Sequence, residues 1–139
     1  MGPTIVALHL CPALRAPLLA VERVSALRDQ GLKGDRHAKA GSHRQVLLIE
    51  RETLDQFGLR PGDVREQVTV QGIDLNALAA GTRLSAGTAV LEVAGPCTPC
   101  ERMNALRPGL MDALQGRRGR FVRVAEPGSF AVGDVLMAG

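Results

Sequence analysis

Thr82-Arg83-Leu84-Ser85-Ala86-Gly87-Thr88-Ala89-Val90-Leu91-Glu92-Val93-Ala94-Gly95-Pro96-Cys97-Thr98-Pro99-Cys100 is the stretch from which the rest of the chain can be read. Two runs, Thr82–Ser85 and Thr88–Ala94, flank Ala86-Gly87, which is the pattern of a β-hairpin. Gly95-Pro96 cannot continue a ladder, so the chain is expected to turn out of the sheet there. Cys97 and Cys100 then sit on a strand-exit loop. If Glu101–Leu106 is helical, Cys100 falls near its N-terminus, where exposed N–H groups and the dipole favour a thiolate. The thiolate is the form that carries sulfur or binds metal.

Outward from the hairpin, short strands alternate with Gly/Pro turns. Thr4–Leu10 reads as a strand, and Cys11–Pro17, with two prolines, as an irregular crossing. Leu18–Leu27 is strand or short helix, because its apolar residues show no clean face. Gln45–Ile49 is a wholly apolar strand. Glu50–Phe57 has helix formers, acidic residues at its start and Gly58 as a C′ residue, so it predicts a helix. Val64–Leu75 alternates and then breaks at Gly72. Pro108–Gly116 predicts a short helix, and Arg120–Ala125 and Asp134–Met137 predict closing strands around Glu126-Pro127-Gly128. The fold class expected is mainly β, a barrel-like single domain over residues 1–139 with two or three short helices.

Composition removes several function classes. At 139 residues the chain is long enough to bury its own core without staples, and three cysteines are an odd number for a disulfide framework. No basic leader and no apolar run near the roughly 20 residues of a membrane span is present. Val6 breaks the myristoylation pattern. These features predict a cytoplasmic protein with no membrane partner. A net charge of +3 is mildly basic, and no Trp, no Tyr and only three Phe are available to stack bases, which argues against nucleic acid. The cluster Arg117–Arg123 suits either a solvated surface or a phosphate-bearing ligand.

Gly31-Leu32-Lys33-Gly34-Asp35-Arg36-His37-Ala38-Lys39-Ala40-Gly41-Ser42-His43-Arg44 is a loop dense in glycine, charge and histidine. Its glycines allow close backbone approach to a ligand, Arg36 and Arg44 can grip phosphate in two-pronged fashion, and Asp35 can orient an Arg or a His. His37 and His43 are open to a role. His9, in an apolar strand pattern, is expected to be packed. For the cysteine pair the residues alone leave alternatives open. Cys97 and Cys100 could join His9 and Cys11 as a zinc site, act as a thioredoxin-like dithiol, which belongs with a βαβ pattern not evident here, or pack as small apolar groups.

The order of Gly31–His37, Arg44-Gln45-Val46, Glu52-Thr53, Glu66–Leu75, Gly81–Leu84, Gly95–Cys100 and Gly133-Asp134-Val135 resembles the MOSC domain family, the domain at the C-terminus of molybdenum cofactor sulfurases. The resemblance runs from about Val6 to the end and is that of a small stand-alone bacterial-type member. It implies a mostly-β barrel and a site for the molybdenum cofactor (molybdopterin) or for sulfur transfer, free of pyridoxal phosphate. It places Cys100 as molybdenum ligand or persulfide carrier, with Cys97 and Thr98 beside it. The Gly-Asp-Arg loop lands on Gly34, Asp35 and Arg36, with His37 and Arg44 following. Glu66 and Gln67 stand where the family commonly shows Glu-Asn, and one of the two is expected to face the cofactor. The implied activity is that of a molybdenum-dependent oxidoreductase, a reductase of N-hydroxylated compounds served by a separate electron-donor protein, or of a sulfurtransferase served by a sulfur donor. Homodimerisation is left open. The alternative is a non-catalytic cofactor-delivery, thiol-redox or zinc-binding module.

Overall fold

The strand β5 (Val46–Glu50) is buried on both faces for four of its five residues, which requires a layer on each side of it. The computed structural model describes residues 2–97 and 102–138. β5 sits within an eight-stranded sheet of order β11-β7-β8-β9-β5-β6-β1-β2. Its members are β1 (Thr4–Leu10), β2 (Leu19–Val21), β6 (Val68–Gln71), β7 (Arg83–Ala86), β8 (Ala89–Pro96), β9 (Arg120–Glu126) and β11 (Leu136–Ala138). A second sheet, β10-β3-β4, holds β3 (Arg23–Leu27), β4 (Gly31–Leu32) and β10 (Gly128–Ala131). Three short helices, α1 (Arg51–Gln56), α2 (Arg102–Leu106) and α3 (Leu110–Ala113), complete the elements with a 3-10 turn at Leu75–Ala77. The protein is mainly β. Among the described residues no helix is long and apolar enough to cross a membrane.

The expected barrel is not closed by a ladder. β11 and β2 are the sheet's two edges, and an isolated bridge between Thr4 and Val135 links β1 to the approach of β11. Three further backbone bonds reinforce that link, from the N–H of Ile5 to Asp134, of Gly133 to Ile5 and of Leu136 to Pro3.

The period-2 alternation of strands divides the interior into two cores. Val46, Leu48, Val68, Val70, Leu91 and Val122 point to the main core, where Phe130 of the small sheet covers them. Ile49 points the other way, to a second core with Leu54 of α1, Val64, Met103 of α2, and Leu110 and Leu114 around α3. β5 and β6 are parallel, with α1 in their connection, so the chain contains the βαβ unit that its sequence did not make evident. That unit does not feed the cysteine pair. Leu18–Leu27 resolves as β2 and β3, and Gly58 closes α1 with a φ of 68°.

Gly95-Pro96 does not end its strand, contrary to expectation. β8 continues to Pro96, paired with Arg120, after a register shift between Val93 and Pro96. A bulge of this kind is where a proline can stay in a sheet without a ladder N–H.

Candidate active site

One row of residues runs across four strands and the approach to a fifth. Leu47 lies opposite Phe121 on β9. Gln67, one residue before β6, donates its backbone N–H to Leu47 at 3.2 Å and accepts from the N–H of His9 at 2.8 Å. His9 in turn lies opposite Ala20 on β2. Leu8 and Leu10 face the main core, so alternation turns His9 outward with the rest of the row. Phe121, Leu47, Gln67, His9 and Ala20 thereby form the floor of a cleft of about 620 Å³.

The loop after β4 makes one wall. Asp35 is buried, and its Oδ1 accepts from the backbone N–H of Cys11 at 2.8 Å. Its Oδ2 accepts from the backbone N–H of His37 at 3.0 Å and from Gln67 Nε2 at 3.0 Å. Burial alone would raise the Asp35 pKa, but these bonds and the His37 ring outweigh it and hold the carboxyl below its ordinary value. Gln67 completes the frame by accepting from the N–H of Leu47 at 2.9 Å, so both ends of its amide are used in positioning. His37 Nε2 lies 3.2 Å from Arg36 Nη1, which can only donate. A neutral ring here would carry its proton on Nδ1, 3.2 Å from Asp35 Oδ2 and 3.4 Å from Gln67 Nε2. Arg44 lies over the Phe121 ring at 5.9 Å from its centroid.

The sequence-predicted residues are thus largely gathered. Arg36, His37, Arg44, Gln67 and Cys97 all line the cleft, and Asp35 stands behind them. Gly34, at a φ of 86°, turns the loop but does not line it. Of the pair Glu66 and Gln67, only Gln67 faces the cleft. Glu66 is fully buried, its Oε2 accepting from the N–H of Gly62 at 2.8 Å and from Thr69 Oγ1 at 2.6 Å. Desolvation raises its pKa, against the lowering by those bonds and by His9. Cys97 is fixed through its backbone N–H on Gly119 at 3.0 Å. Thr98 and Cys100 lie outside the described residues.

His9, expected to be packed, lies against Gly62 with its Nδ1 buried, and it also lines the cleft. Arg15, Arg65 and Arg102 also line the cleft and were not singled out, because each comes from a different segment, and Arg118 joins them from the cluster Arg117–Arg123 that suited either a solvated surface or a phosphate-bearing ligand. Arg15 and Arg65 hold φ values of 59° and 63°, a conformation that costs a non-glycine residue about 1 kcal/mol or more and is concentrated at functional sites. Arg65 Nη2 contacts the sulfur of Cys11 at 3.1 Å and the carbonyl of Ala16 at 2.9 Å, so it pins the segment before β2 over the cleft. Cys11 is itself buried. Among the described residues no group of three His, Cys, Asp or Glu could hold a metal ion.

The family model for the MOSC domain matches residues 35–137. The chain belongs to the MOSC domain family. The match covers the Asp35 loop, the floor residues Leu47, Gln67 and Phe121 and the cysteine segment, while His9 and Ala20 lie ahead of it. Among solved structures, this MOSC domain is similar to the YuaD protein from Bacillus subtilis, with a TM-score of 0.78 at 22% identity over 96% of this chain and 93% of that one. It is also similar to YiiM from Geobacillus stearothermophilus, with a TM-score of 0.76 at 20% identity over 99% of this chain and 75% of that one. YiiM from Escherichia coli gives a TM-score of 0.74 at 18% identity, over 98% and 69% respectively. No curated protein sequence matches the chain.

Proposed function

We propose that this MOSC domain holds the molybdenum cofactor in the cleft and uses Cys100 as the thiolate ligand. The observation that supports this reading is the convergence of Arg36, His37, Arg44, Gln67 and Cys97 on one cleft whose floor is apolar at Phe121 and Leu47. The donor set fits the group: arginines for a phosphate, flat apolar surface for a pterin, and a cysteine loop for a soft metal. When bound, the cofactor supplies a redox-active metal centre. The chain's own residues do the rest. Arg36 and Arg44 grip the phosphate, Asp35 and Gln67 hold His37, and the Cys97–Gly119 bond fixes the approach of the cysteine loop. His37 Nε2 can then accept a proton once a ligand displaces Arg36 from it. The protein acts as an oxidoreductase of N-hydroxylated compounds in the cytoplasm, and its electrons come from a separate donor protein.

Metal analysis of protein purified from a molybdopterin-producing host tests this. Molybdenum is expected near one per chain, lost in Cys100→Ser. Arg36→Ala or Arg44→Ala should weaken retention by roughly ten- to hundredfold, the equivalent of a charge-assisted hydrogen bond of about 1.5–3 kcal/mol. Zinc in place of molybdenum, or molybdenum retained by Cys100→Ser, overturns the reading. Sulfur bound to Cys100 without molybdenum would identify a persulfide carrier instead.

A further inference from the structure

Arg118 has no role in cofactor binding as proposed, yet it is the most demanding charge in the cleft. It lines the cleft while only 7% exposed. Its Nη2 donates to the carbonyl of Val64. Nε and Nη1 are buried with no partner among the described residues, which leaves three N–H bonds unused. A guanidinium cannot escape by losing its proton, as a buried lysine can, so a buried and unpaired one is a standing cost unless an anion completes it. Among the described residues its surroundings offer none. The cleft's only described carboxylate is Asp63, whose Oδ2 already accepts from the backbone N–H of Arg60 at 2.8 Å.

Arg118 is also held in place. The next residue, Gly119, has a φ of 107°, and a Cβ there would meet the carbonyl oxygen of Leu48 at 2.2 Å, so the backbone carrying Arg118 packs directly on β5. Antiparallel pairing of Val46 with Val122 and Leu48 with Arg120 puts Arg118 level with Glu50 at the C-terminal end of β5 and Arg44 beyond its N-terminal end. Arg44 and Arg118 therefore enter the cleft from opposite ends of β5. Val64, whose carbonyl Arg118 binds, and Met103 belong to the second core and border the cleft.

We propose that Arg118 anchors a second oxyanion subsite, which takes the carboxylate of an organic substrate. This rests on the reading that the Arg36–Arg44 end is occupied by a cofactor phosphate, and it names the class of molecule that shares the cleft.

The test uses cofactor-free protein, so that failure to load molybdenum is scored separately. Thermal melting is followed in sodium benzoate, sodium phosphate and sodium chloride at equal ionic strength, in an Arg36→Gln/Arg44→Gln background that silences the first end. Benzoate is expected to raise the midpoint above its chloride value there, and adding Arg118→Gln should weaken benzoate at least tenfold. Arg118→Lys, which keeps the charge but not the fork, should give an intermediate affinity. Arg118→Gln should leave the midpoint in chloride unchanged or higher, because it removes an unpaired buried charge. No response to benzoate in the background protein, a response to phosphate alone, or a benzoate response that survives Arg118→Gln each overturns the proposal. Unfolding of both the Gln and Lys variants does so too, since it would make Arg118 structural.

Discussion

Glu66 and Asp35 are two buried carboxyl groups a short distance apart in sequence from Gln67 and His37, and they titrate in opposite directions. Asp35 is surrounded by donors and stays ionised, so its contribution to stability is present above its ordinary value of 3.8 and is lost as pH falls. Glu66 has donors on Oε2 alone, while Oε1 is buried without a partner. Burial dominates there and favours the protonated form. A carboxyl raised in the folded state binds more protons folded than unfolded, so its contribution is full below the ordinary value of 4.5 and fades as pH rises through the folded value. Glu66→Gln imitates the protonated form and keeps an acceptor for Gly62 and Thr69. Its melting midpoint should therefore exceed wild type at pH 8 by on the order of 3–5 °C, what about 1 kcal/mol achieves in a chain of this size, and match it near pH 4. A variant less stable than wild type at pH 8 would show that Glu66 is ionised and needed as such. The sequence placed Glu66 and Gln67 at the site but could not assign them, since which one faces the cleft depends on where β6 begins.

At the scale of elements, the readable parts were those whose signals are local. β1, β5, α1 and the β7–β8 hairpin follow from apolar runs, a helix stop at Gly58 and the Ala86-Gly87 turn. The small sheet was not readable, because β10 and β4 are short and owe their state to pairing with β3, with Phe130 opposite Val24 and Leu32 opposite Ala26. The run to Pro96 was misread for a related reason. A bulge preserves a ladder that local rules would end, and it exists because β9 is there to receive it. Gly119 shows the same dependence on a partner strand. Gly116 and Gly119 both have positive φ, at 75° and 107°, but a Cβ at Gly116 meets nothing within 4 Å, whereas at Gly119 it strikes the β5 backbone. Gly116→Ala should then cost about 1 kcal/mol, from backbone strain alone. Gly119→Ala should cost on the order of 3 kcal/mol or more, as strain and a backbone clash combine. Chemical denaturation of the two variants measures the difference, and equal costs would mean that β9 can shift away from β5 without loss.

For the whole molecule, the cleft is a property of sheet order that no single segment announces. Its floor draws residues from β9, β5, β1 and β2 and from the start of β6, and its arginines come from positions as distant as Arg15 and Arg118. That is why the loop of residues 31–44 was legible as a site while Arg15 and Arg65 were not, and why the cluster Arg117–Arg123 could not be told from a solvated surface. The same arrangement sets an uneven stability along the floor. Leu47 stands on a strand paired on both sides and flanked by two cores, whereas Ala20 belongs to β2, a three-residue edge strand that is mostly exposed and paired only with β1. Edge strands with few buried contacts open locally, at a small fraction of the global unfolding free energy. Native-state amide exchange should accordingly find Leu48 and Ile49 of β5 exchanging only through global unfolding, with denaturant dependence to match. The amides of β2 should exchange through a local opening with little denaturant dependence, so the β2 end of the cleft can loosen while the Arg44 and Arg118 ends keep their geometry. If the β2 amides are as protected as Leu48, the floor is uniformly rigid, and access to the cleft must come from the surface segments above it.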